Sequence, residues 1–436
     1  MNTEIKVRIE MINKGEVPEG YKKTKIGIIP EEWQVKRLID VKDSQDRYAF
    51  TGGPFGSDLK TEHYTDDGVR ILQLQNIGDG IFLDNYKIYT SNKKADELHS
   101  CNIYPEEILI AKMAEPLARA CIVPSGQRRY LMASDGIRLK VDSNNYSTKY
   151  VMEYINSSHF RKEAIKRGTG TTRLRIGLGE LSEIKLALPD KSEQQEIAQI
   201  LSAWDKAIEL KEKLIEEKKE QKKGLMQKLL TGEVRLPGFD EEWEEARLGE
   251  VIELQGGYAF ESSSYKEDGV PIIRISNIEK IVNLNKDVVY YDPIEIDDKF
   301  LVKRGDLLIA MSGATTGKTG VYRNYNIAYL NQRVGKFIAI REELYYQYLY
   351  HIVENKEFQN QLNKRLVAGA QPNISSADVE SLIFKMPSLK EQKAIAQILS
   401  TADKEIDLLI QELDLLKLQK KGLMQLLLTG VVRVKC

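Results

Sequence analysis

Residues 193–235 and 391–433 are two copies of one sequence. EQQEIAQILSAWDKAIELKEKLIEEKKEQKKGLMQKLLTGEVR aligns with EQKAIAQILSTADKEIDLLIQELDLLKLQKKGLMQLLLTGVVR at a constant offset of 198, without a gap, and 26 of 43 positions are identical. Chance does not give such a match, and a repeat of this kind means that the chain consists of two equivalent halves. The segments ahead of each copy correspond more loosely. Glu31-Glu32-Trp33 matches Glu241-Glu242-Trp243, and Tyr48-Ala49-Phe50 matches Tyr258-Ala259-Phe260. DGVRILQLQNI (67–77) matches DGVPIIRISNI (268–278), and ILIA (108–111) matches LLIA (307–310). Each half is therefore a variable globular part followed by a nearly constant helical part.

The helical part follows from periodicity. Ile395, Leu399, Ala402, Ile406, Leu409, Leu413, Leu416, Lys420, Leu423 and Leu427 recur at steps of four and three, which is a heptad seam. The first copy keeps the register with Ile197, Leu201, Trp204, Ile208, Lys211, Ile215, Lys218, Lys222, Leu225 and Leu229. Ser192 followed by Gln195 predicts a capping box at the helix start. Thr231-Gly232 and Thr429-Gly430 predict its end. About 38 residues at ~1.5 Å each make a rod of ~55 Å. Three lysines on the first seam suit either a partly open middle or stems laid over the partner helix with their charges outside. Duplicated helices related by a pseudo-two-fold axis pair antiparallel within one chain. A homodimeric coiled coil is the alternative, but the partner sequence is already present.

The globular parts, about 42–188 and 246–386, read as mixed structure. VRILQLQNI, EILIAKM, GIRLKV, VPIIRISNI, DLLIAMSG and VGKFIAI have the character of strands, while YVMEYINSSHFRKEAIK and LYYQYLYHIVENKEFQNQLNKR read as amphipathic helices. The expected fold class is mixed α/β (α+β): two sheet-and-helix domains separated by two long antiparallel coiled-coil helices in an internal pseudo-two-fold repeat.

At 436 residues the chain has room for about three domain-sized units. Cys101, Cys121 and Cys436 are odd in number and widely spaced, which argues against a disulfide framework. No apolar run approaches the ~18 residues of a membrane span. The stretch MNTEIKVRIEMINKGE has no apolar core of the signal-peptide kind. A cytoplasmic protein without a membrane partner is expected. The 64 basic and 65 acidic residues give a net charge of −1, which does not by itself suggest nucleic acid. Charge is segregated locally, however. The run 161–175, RKEAIKRGTGTTRLR, holds six basic residues and one acid, as a phosphate-facing loop or a solvated helix end would.

Motifs for catalysis are missing. SGATTGKT (312–319) resembles a P-loop, but Ser312 replaces its first glycine, and GVYRNYNIAYL after it has the pattern of a strand rather than the required helix. A glycine-rich turn offering Ser312, Thr315, Thr316 and Lys318 to phosphates or bases is the better reading. His63, His99, His159 and His351 share no metal-ligand spacing with each other or with the cysteines, so no metal site is expected. There is no G-x-S-x-G elbow and no Asn-Pro-Pro-Tyr run of the amino-methyltransferase kind. Pro189-Asp190 has no nuclease partner, because Glu183 and Lys185 precede it and Glu216 and Lys218 lie within the helical repeat. No catalytic residue is expected.

Two variable domains, each followed by a constant long helix, resemble the specificity subunit of type I restriction–modification systems. Ala187-Leu188-Pro189 running into EQQEIAQIL, and Lys385-Met386-Pro387 into EQKAIAQIL, are similar to the family's entry to its conserved helices. GLMQKLLTGEVRL and GLMQLLLTGVVRV resemble their ends. YKKTKIGIIPEEWQVKRL (21–38) resembles the family's opening, and LPGFDEEWEEARL (236–248) repeats its second half. RGTGTTRLRIGLGELSEIKLALP and LVAGAQPNISSADVESLIFKMP resemble the closing segments of recognition domains, the second being nearer the family's usual form.

The resemblance covers essentially the whole chain. It divides the chain into an N-terminal conserved segment (1–41), a first target recognition domain (42–188), a central helix (189–232), a second target recognition domain (233–386) and a C-terminal helix (387–436). It implies a non-catalytic scaffold. Each recognition domain would read one half of a split site in double-stranded DNA, and the helices would space the domains and dock two methyltransferase (M) subunits. Motor–nuclease (R) subunits would join through these. S-adenosylmethionine, ATP and Mg would bind the partners, leaving this chain without a cofactor. A ~55 Å rod spans about 16 base pairs at ~3.4 Å each, more than one duplex turn.

Arginine, glutamine and asparagine near glycine-rich turns suit guanine and adenine edges. The candidate DNA-binding residues are Arg167, Thr171, Thr172, Arg173, Arg175, Gln73, Gln75 and Asn76 in the first domain. In the second they are Ser312, Thr315, Thr316, Lys318, Lys364, Arg365, Gln371 and Asn373. The alternatives are a recognition subunit of another restriction or modification class, and a coiled-coil adaptor that binds only proteins. Modularity gives the first test. Exchanging residues 246–386 for the same region of a relative should change one half of the recognised sequence only, as read by sequencing the modified sites; a change in both halves would refute independent reading.

Overall fold

The computed structural model describes residues 3–113, 115–170, 173–366 and 373–434. Among the residues singled out above, Thr171, Thr172, Gln371 and Cys436 lie outside the described residues. The chain divides into two compact units: residues 1–211 with 412–436, and residues 212–411. The central helix, Lys191–Thr231, and the terminal helix, Leu389–Leu428, each run through both units. The helices are therefore not segments separate from the domains, as the linear division has them. Each unit takes one stretch of both.

In the first unit a four-stranded antiparallel sheet has the order Ala120–Ile122, Ile108–Ala111, Gly136–Leu139, Phe50–Gly52. Beside it a five-stranded sheet contains one parallel pairing, Val69–Leu72 with Tyr130–Met132. The strand Gln34–Arg37 pairs with Lys185–Leu188, so the chain enters and leaves the domain side by side. The second unit repeats this plan. Its four-stranded sheet runs Ile252–Gly256, Val334–Ala339, Leu307–Ala310, Thr319–Val321. Its second sheet keeps the single parallel pairing, Val270–Ile273 with Ala328–Leu330. Its entry and exit strands are Glu244–Arg247 and Ile383–Met386.

The six expected strands are present, but QLQNI and RISNI do not continue them. Leu74–Asn76 and Ile275–Asn277 are tight 3-10 turns, because Asn76 and Asn277 bend inward to accept hydrogen bonds from the backbone N–H of Gln73 and Arg274. YVMEYINSSHFRKEAIK forms two helices, since Ser157 caps Ser158–Arg167 by accepting from the Phe160 N–H. The second helical run likewise divides, into Tyr346–Glu354 and Lys356–Leu366. The central helix is capped by Asp190 rather than by Ser192. Asp190 Oδ1 accepts from the Glu193 N–H at 2.9 Å, and Ser192 donates its hydroxyl to the same carboxylate. An anionic cap also suits the helix dipole. Gly232 and Gly430, at φ +74° and +71°, end the helices where the sequence places the stops.

The heptad seam lies inward along its length. Ile197, Leu201, Ile215, Ile395, Leu399, Ile406 and Leu413 are buried, while Trp204, Ile208, Leu225, Leu409, Leu416 and Leu423 are half-buried. Within the first unit Lys211 meets Glu412 at 2.8 Å, and Lys420 meets Asp205 at 2.6 Å. Within the second, Lys218 meets Glu405 at 2.6 Å, and Lys222 meets Asp403 at 2.8 Å. Numbers rise along one helix as they fall along the other, so the pairing in each unit is antiparallel. The seam lysines match acids on the facing helix, an arrangement the apolar pattern did not reveal.

The two repeated helix starts lock onto the domains through one motif. Glu193 accepts from Trp33 Nε1 at 3.1 Å and from Arg433 Nε and Nη2 at 2.7 and 2.9 Å. Glu391 accepts from Trp243 Nε1 at 2.9 Å and from Arg235 Nε and Nη2 at 2.9 and 2.8 Å. The adjacent Gln194 donates to the Pro189 carbonyl and accepts from the Ser147 N–H. Gln392 does the same with Pro387 and Tyr345. The Pro–Glu–Gln pattern is thus a hydrogen-bonding unit that joins domain and helix. Among the described residues no helix is long and apolar enough to cross a membrane.

Burial pushes the His351 imidazole down to about 4, with Lys222 and Lys280 acting in the same direction against Asp403 and Glu354. Unfolded, it titrates near 6.5. Between these values the unfolded chain holds a proton that the folded chain does not. This contribution to stability is complete above about pH 6.5 and falls, by on the order of 3 kcal/mol, as pH drops toward 4. Burial raises the Asp403 carboxyl, but the Lys222 and Lys280 ammonium groups outweigh it and hold the group below its usual range, which adds a loss at still lower pH. Urea-unfolding midpoints should therefore fall from pH 6.5 to 4.5, and His351→Gln should flatten that limb.

Candidate nucleic-acid interface

In the first unit five segments converge at one end of the sheets. Gly53 donates its N–H to the Gly136 carbonyl at 2.8 Å, Lys112 to Asp135 at 2.8 Å and Ala133 to Leu72 at 2.9 Å. Ile176 donates to Lys112 at 3.0 Å, and Thr169 and Arg175 exchange backbone hydrogen bonds. Between these segments lies a cavity of about 330 Å³ whose lining includes Phe55, Tyr64, Gln73, Gln75, Asp135 and Arg173. The structure thus brings Gln73, Gln75 and Arg173 together. Gln75 is exposed, and Gln73 donates to the Tyr64 hydroxyl at 3.4 Å.

Asn76 does not belong to this group. It is fully buried, and its amide donates to the carbonyls of Leu83 and Tyr86. All its hydrogen-bonding capacity goes to holding the turn, which corrects its assignment as a base-reading residue. The basic run 161–175 is also largely neutralised inside the protein. Arg161 pairs with Asp79, Lys166 with Glu163 and Arg175 with Asp135, while Arg167 reaches Glu180 at 4.0 Å. Arg173 is exposed and has no hydrogen-bond or ion-pair partner among the described residues, which leaves its guanidinium available to a phosphate or a guanine edge.

The second unit builds the same frame. Met311 donates its N–H to the Arg333 carbonyl at 2.9 Å, as Lys112 does to Asp135, and Asn331 donates to Ile273 as Ala133 does to Leu72. Ile374 donates to Met311, and Ser312 bridges to Asn373. Thr315 donates to the Ile275 carbonyl at 3.0 Å and Thr316 to the Gly313 carbonyl at 2.6 Å, so both hydroxyls brace the turn. Ser312 is buried, and its hydroxyl has no partner among the described residues. The strand Thr319–Val321 follows this turn, so SGATTGKT is a sheet connection and not a P-loop. Lys318, Lys364 and Asn373 are exposed. Arg365 is structural: its guanidinium donates to the Ser381 hydroxyl and carbonyl and to the Gln361 carbonyl, tying two helices together. Lys364 therefore remains a candidate and Arg365 does not.

Sequence reasoning missed Gln332 and Arg333, which are exposed in the connection to Val334–Ala339. Their signal was positional: they follow the same strand as Ala133, Ser134 and Asp135. Asp135 and Arg333 occupy equivalent places with opposite charge.

One group has the composition of a metal site. The donor atoms of His351, Glu354 and Asp403 lie within 4.8 Å of one another. Lys222 Nζ stands between the two carboxylates, at 3.0 Å from Glu354 and 2.8 Å from Asp403, and Lys280 Nζ lies 2.6 Å from Asp403. The ammonium groups supply the positive charge, and the cluster is an ion-pair network between helix and domain. The first unit has Glu153, Lys149, Lys420 and Asp205 in its corresponding network.

The profile of the type I restriction modification DNA specificity domain matches residues 30–219 and again 240–418. The chain belongs to this family. The type I restriction enzyme MjaVIII specificity subunit of Methanocaldococcus jannaschii is 30% identical over 324 residues, 71% of this chain and 76% of that one. A solved chain of a type I R-M system is similar over 93% of this chain and 99% of its own, at a TM-score of 0.59 and 16% identity. The S subunit of a type I restriction–modification system from M. genitalium is similar over 91% of this chain and 96% of its own, at 0.54 and 17% identity. At these identities the solved structures speak for the fold. The protein is a type I specificity subunit with two target recognition domains, one in each compact unit.

The unpaired guanidinium provides a test. Arg173→Ala should weaken DNA binding and reduce the log–log salt slope by up to about 0.9 if the contact is a phosphate. If it reads a base, the loss should be about 1–3 kcal/mol with relaxed specificity at one position. Filter binding across a salt series, on matched and singly altered sites, separates these results from an unchanged protein, which would remove Arg173 from the interface.

Proposed function

We propose that this specificity subunit reads a divided site in double-stranded DNA, with each recognition domain taking one half. The observation that carries the reading is the pair of equivalent loop ends. Their backbone frame is the same, but their polar groups differ: Gln73, Gln75 and Asp135 in one, Arg274, Ser276 and Arg333 in the other, with Gln75, Ser276 and Arg333 exposed and the rest half-buried. Two half-sites of different sequence call for such a constant frame with different donors and acceptors. Arg274 also donates to the Asp287 carbonyl, so it is held in place while remaining at the surface.

The chain is non-catalytic in this reading. Its helices dock two methyltransferase subunits, with motor–nuclease subunits joined through them. S-adenosylmethionine, ATP and Mg belong to those partners. Support comes from the constancy of the helical copies, which contrasts with the variation between the domains they carry.

A gel shift on a random-sequence duplex library, using the chain co-purified with its methyltransferase subunits, tests the reading. One divided sequence should be enriched; a shift without enrichment would refute sequence reading, and no shift at all would point to a protein adaptor. The chain verified free of partners should neither transfer methyl groups from S-adenosylmethionine nor cut DNA, and methyl transfer by the isolated chain would refute its non-catalytic assignment.

A further inference from the structure

The loop after the first sheet strand differs between the two recognition domains. Between the end of Phe50–Gly52 and Val69 lie 16 residues (53–68); between the end of Ile252–Gly256 and Val270 lie 13 (257–269). The longer loop is rooted at Gly53, where a Cβ would stand 1.8 Å from the Ala133 carbonyl oxygen, so a larger residue cannot take that position without moving the sheet connection. Pro54 limits the next backbone angle. Asp58 then donates its N–H to the Phe55 carbonyl at 2.9 Å, closing a turn. At this turn Phe55 is 83% exposed. The shorter loop is rooted in the same way at Gly257, but its aromatic residues are held down: Tyr258, 42% exposed, packs edge-on against Phe260 and Phe300, and Tyr265 packs against the cluster of Phe260, Ile272 and Tyr329. Among the described aromatic residues of the two loops, Phe55 is the most exposed.

Phe55 borders the same cavity as Gln73, Gln75 and Arg173. An apolar ring held out by a rooted turn beside base-reading groups and an unpaired guanidinium has the chemistry of a DNA wedge. Such side chains enter between base pairs, unstack them and kink the duplex. We propose that Phe55 wedges into one base step of the half-site read by the first domain, while Arg173 and the two glutamines contact the neighbouring pair. The wedge favours a flexible pyrimidine–purine step, TA or CA/TG, because these unstack most easily. It thereby contributes to sequence selection through deformability rather than through hydrogen bonds. This rests on the reading of the chain as a DNA-recognition subunit.

The experiment uses the full chain with its methyltransferase subunits and duplexes of the site that the complex modifies, with 2-aminopurine placed at successive positions of the first half-site. The wild-type complex should brighten the probe at one step. Phe55→Leu should retain the signal. Phe55→Ala should lose it and bind about tenfold more weakly, with an unchanged salt slope because no phosphate contact is removed. Preference for the other half-site should stay the same, and thermal unfolding should not shift, since the ring is exposed. Normal site binding by Phe55→Ala without brightening at any step in the wild type would overturn the wedge alone. Loss of the methyltransferase subunits on Phe55→Ala would also overturn it, marking Phe55 as a protein contact. A wild-type complex that enriches no sequence would overturn both the wedge and the DNA-reading function.

Discussion

Two buried carboxylates hold the architecture together. Glu193 and Glu391 are 2% and 1% exposed, and an isolated charge at such depth would not be tolerated. Each is held by an indole N–H and a two-pronged guanidinium, and removing one partner from such a group costs about 3–5 kcal/mol. Their value lies in what they join. The tryptophan comes from the segment that enters a domain, the glutamate from the helix that leaves it, and the arginine from the end of the other long helix. Entry and exit strands pair beside this knot. The base of each domain is thus closed independently of the sheets and loops above it. This explains how the chain tolerates large differences between its two globular parts while its helices keep nearly one sequence.

The repeat and the seam were legible because their signals are local and periodic. Strand positions such as Ile108–Ala111 and Leu307–Ala310 were readable for the same reason: short apolar runs buried on both faces carry their own signature. What the periodicity could not show was the partner of each side chain. Lys222 looked out of place on an apolar seam until Asp403 and Glu354 appeared opposite it, 181 and 132 residues away in sequence. Asn76 and Arg365 have residue types suited to bases, yet their groups are spent on nearby carbonyls.

The same difficulty explains the charge balance. A near-neutral chain with one basic run looks like a DNA-binding loop on an indifferent background. In the folded protein most of that run is paired: Lys166 with Glu163 of the run itself, and the arginines with Asp79, Glu180 and Asp135, whose positions in sequence gave no hint of it. Arg173 stands out only once those pairs are known. Gln332 and Arg333 lie in a connection with no repeat and no charge cluster. Only the shared hydrogen-bond frame of the two units places them where Ser134 and Asp135 stand.

The first unit draws on residues 412–436 for its completion. Leu427 and Leu428 sit in its core, and Arg433 supplies the guanidinium that neutralises Glu193. The second unit is drawn from one continuous stretch, residues 212–411. On the ribosome the order of synthesis and the order of completion are therefore reversed. The domain made first waits, with its base open and Glu193 uncompensated, until the end of the terminal helix emerges. The domain made second can close before it. A chain released at residue 411 would hold every residue of the second unit and lack the stretch that completes the first.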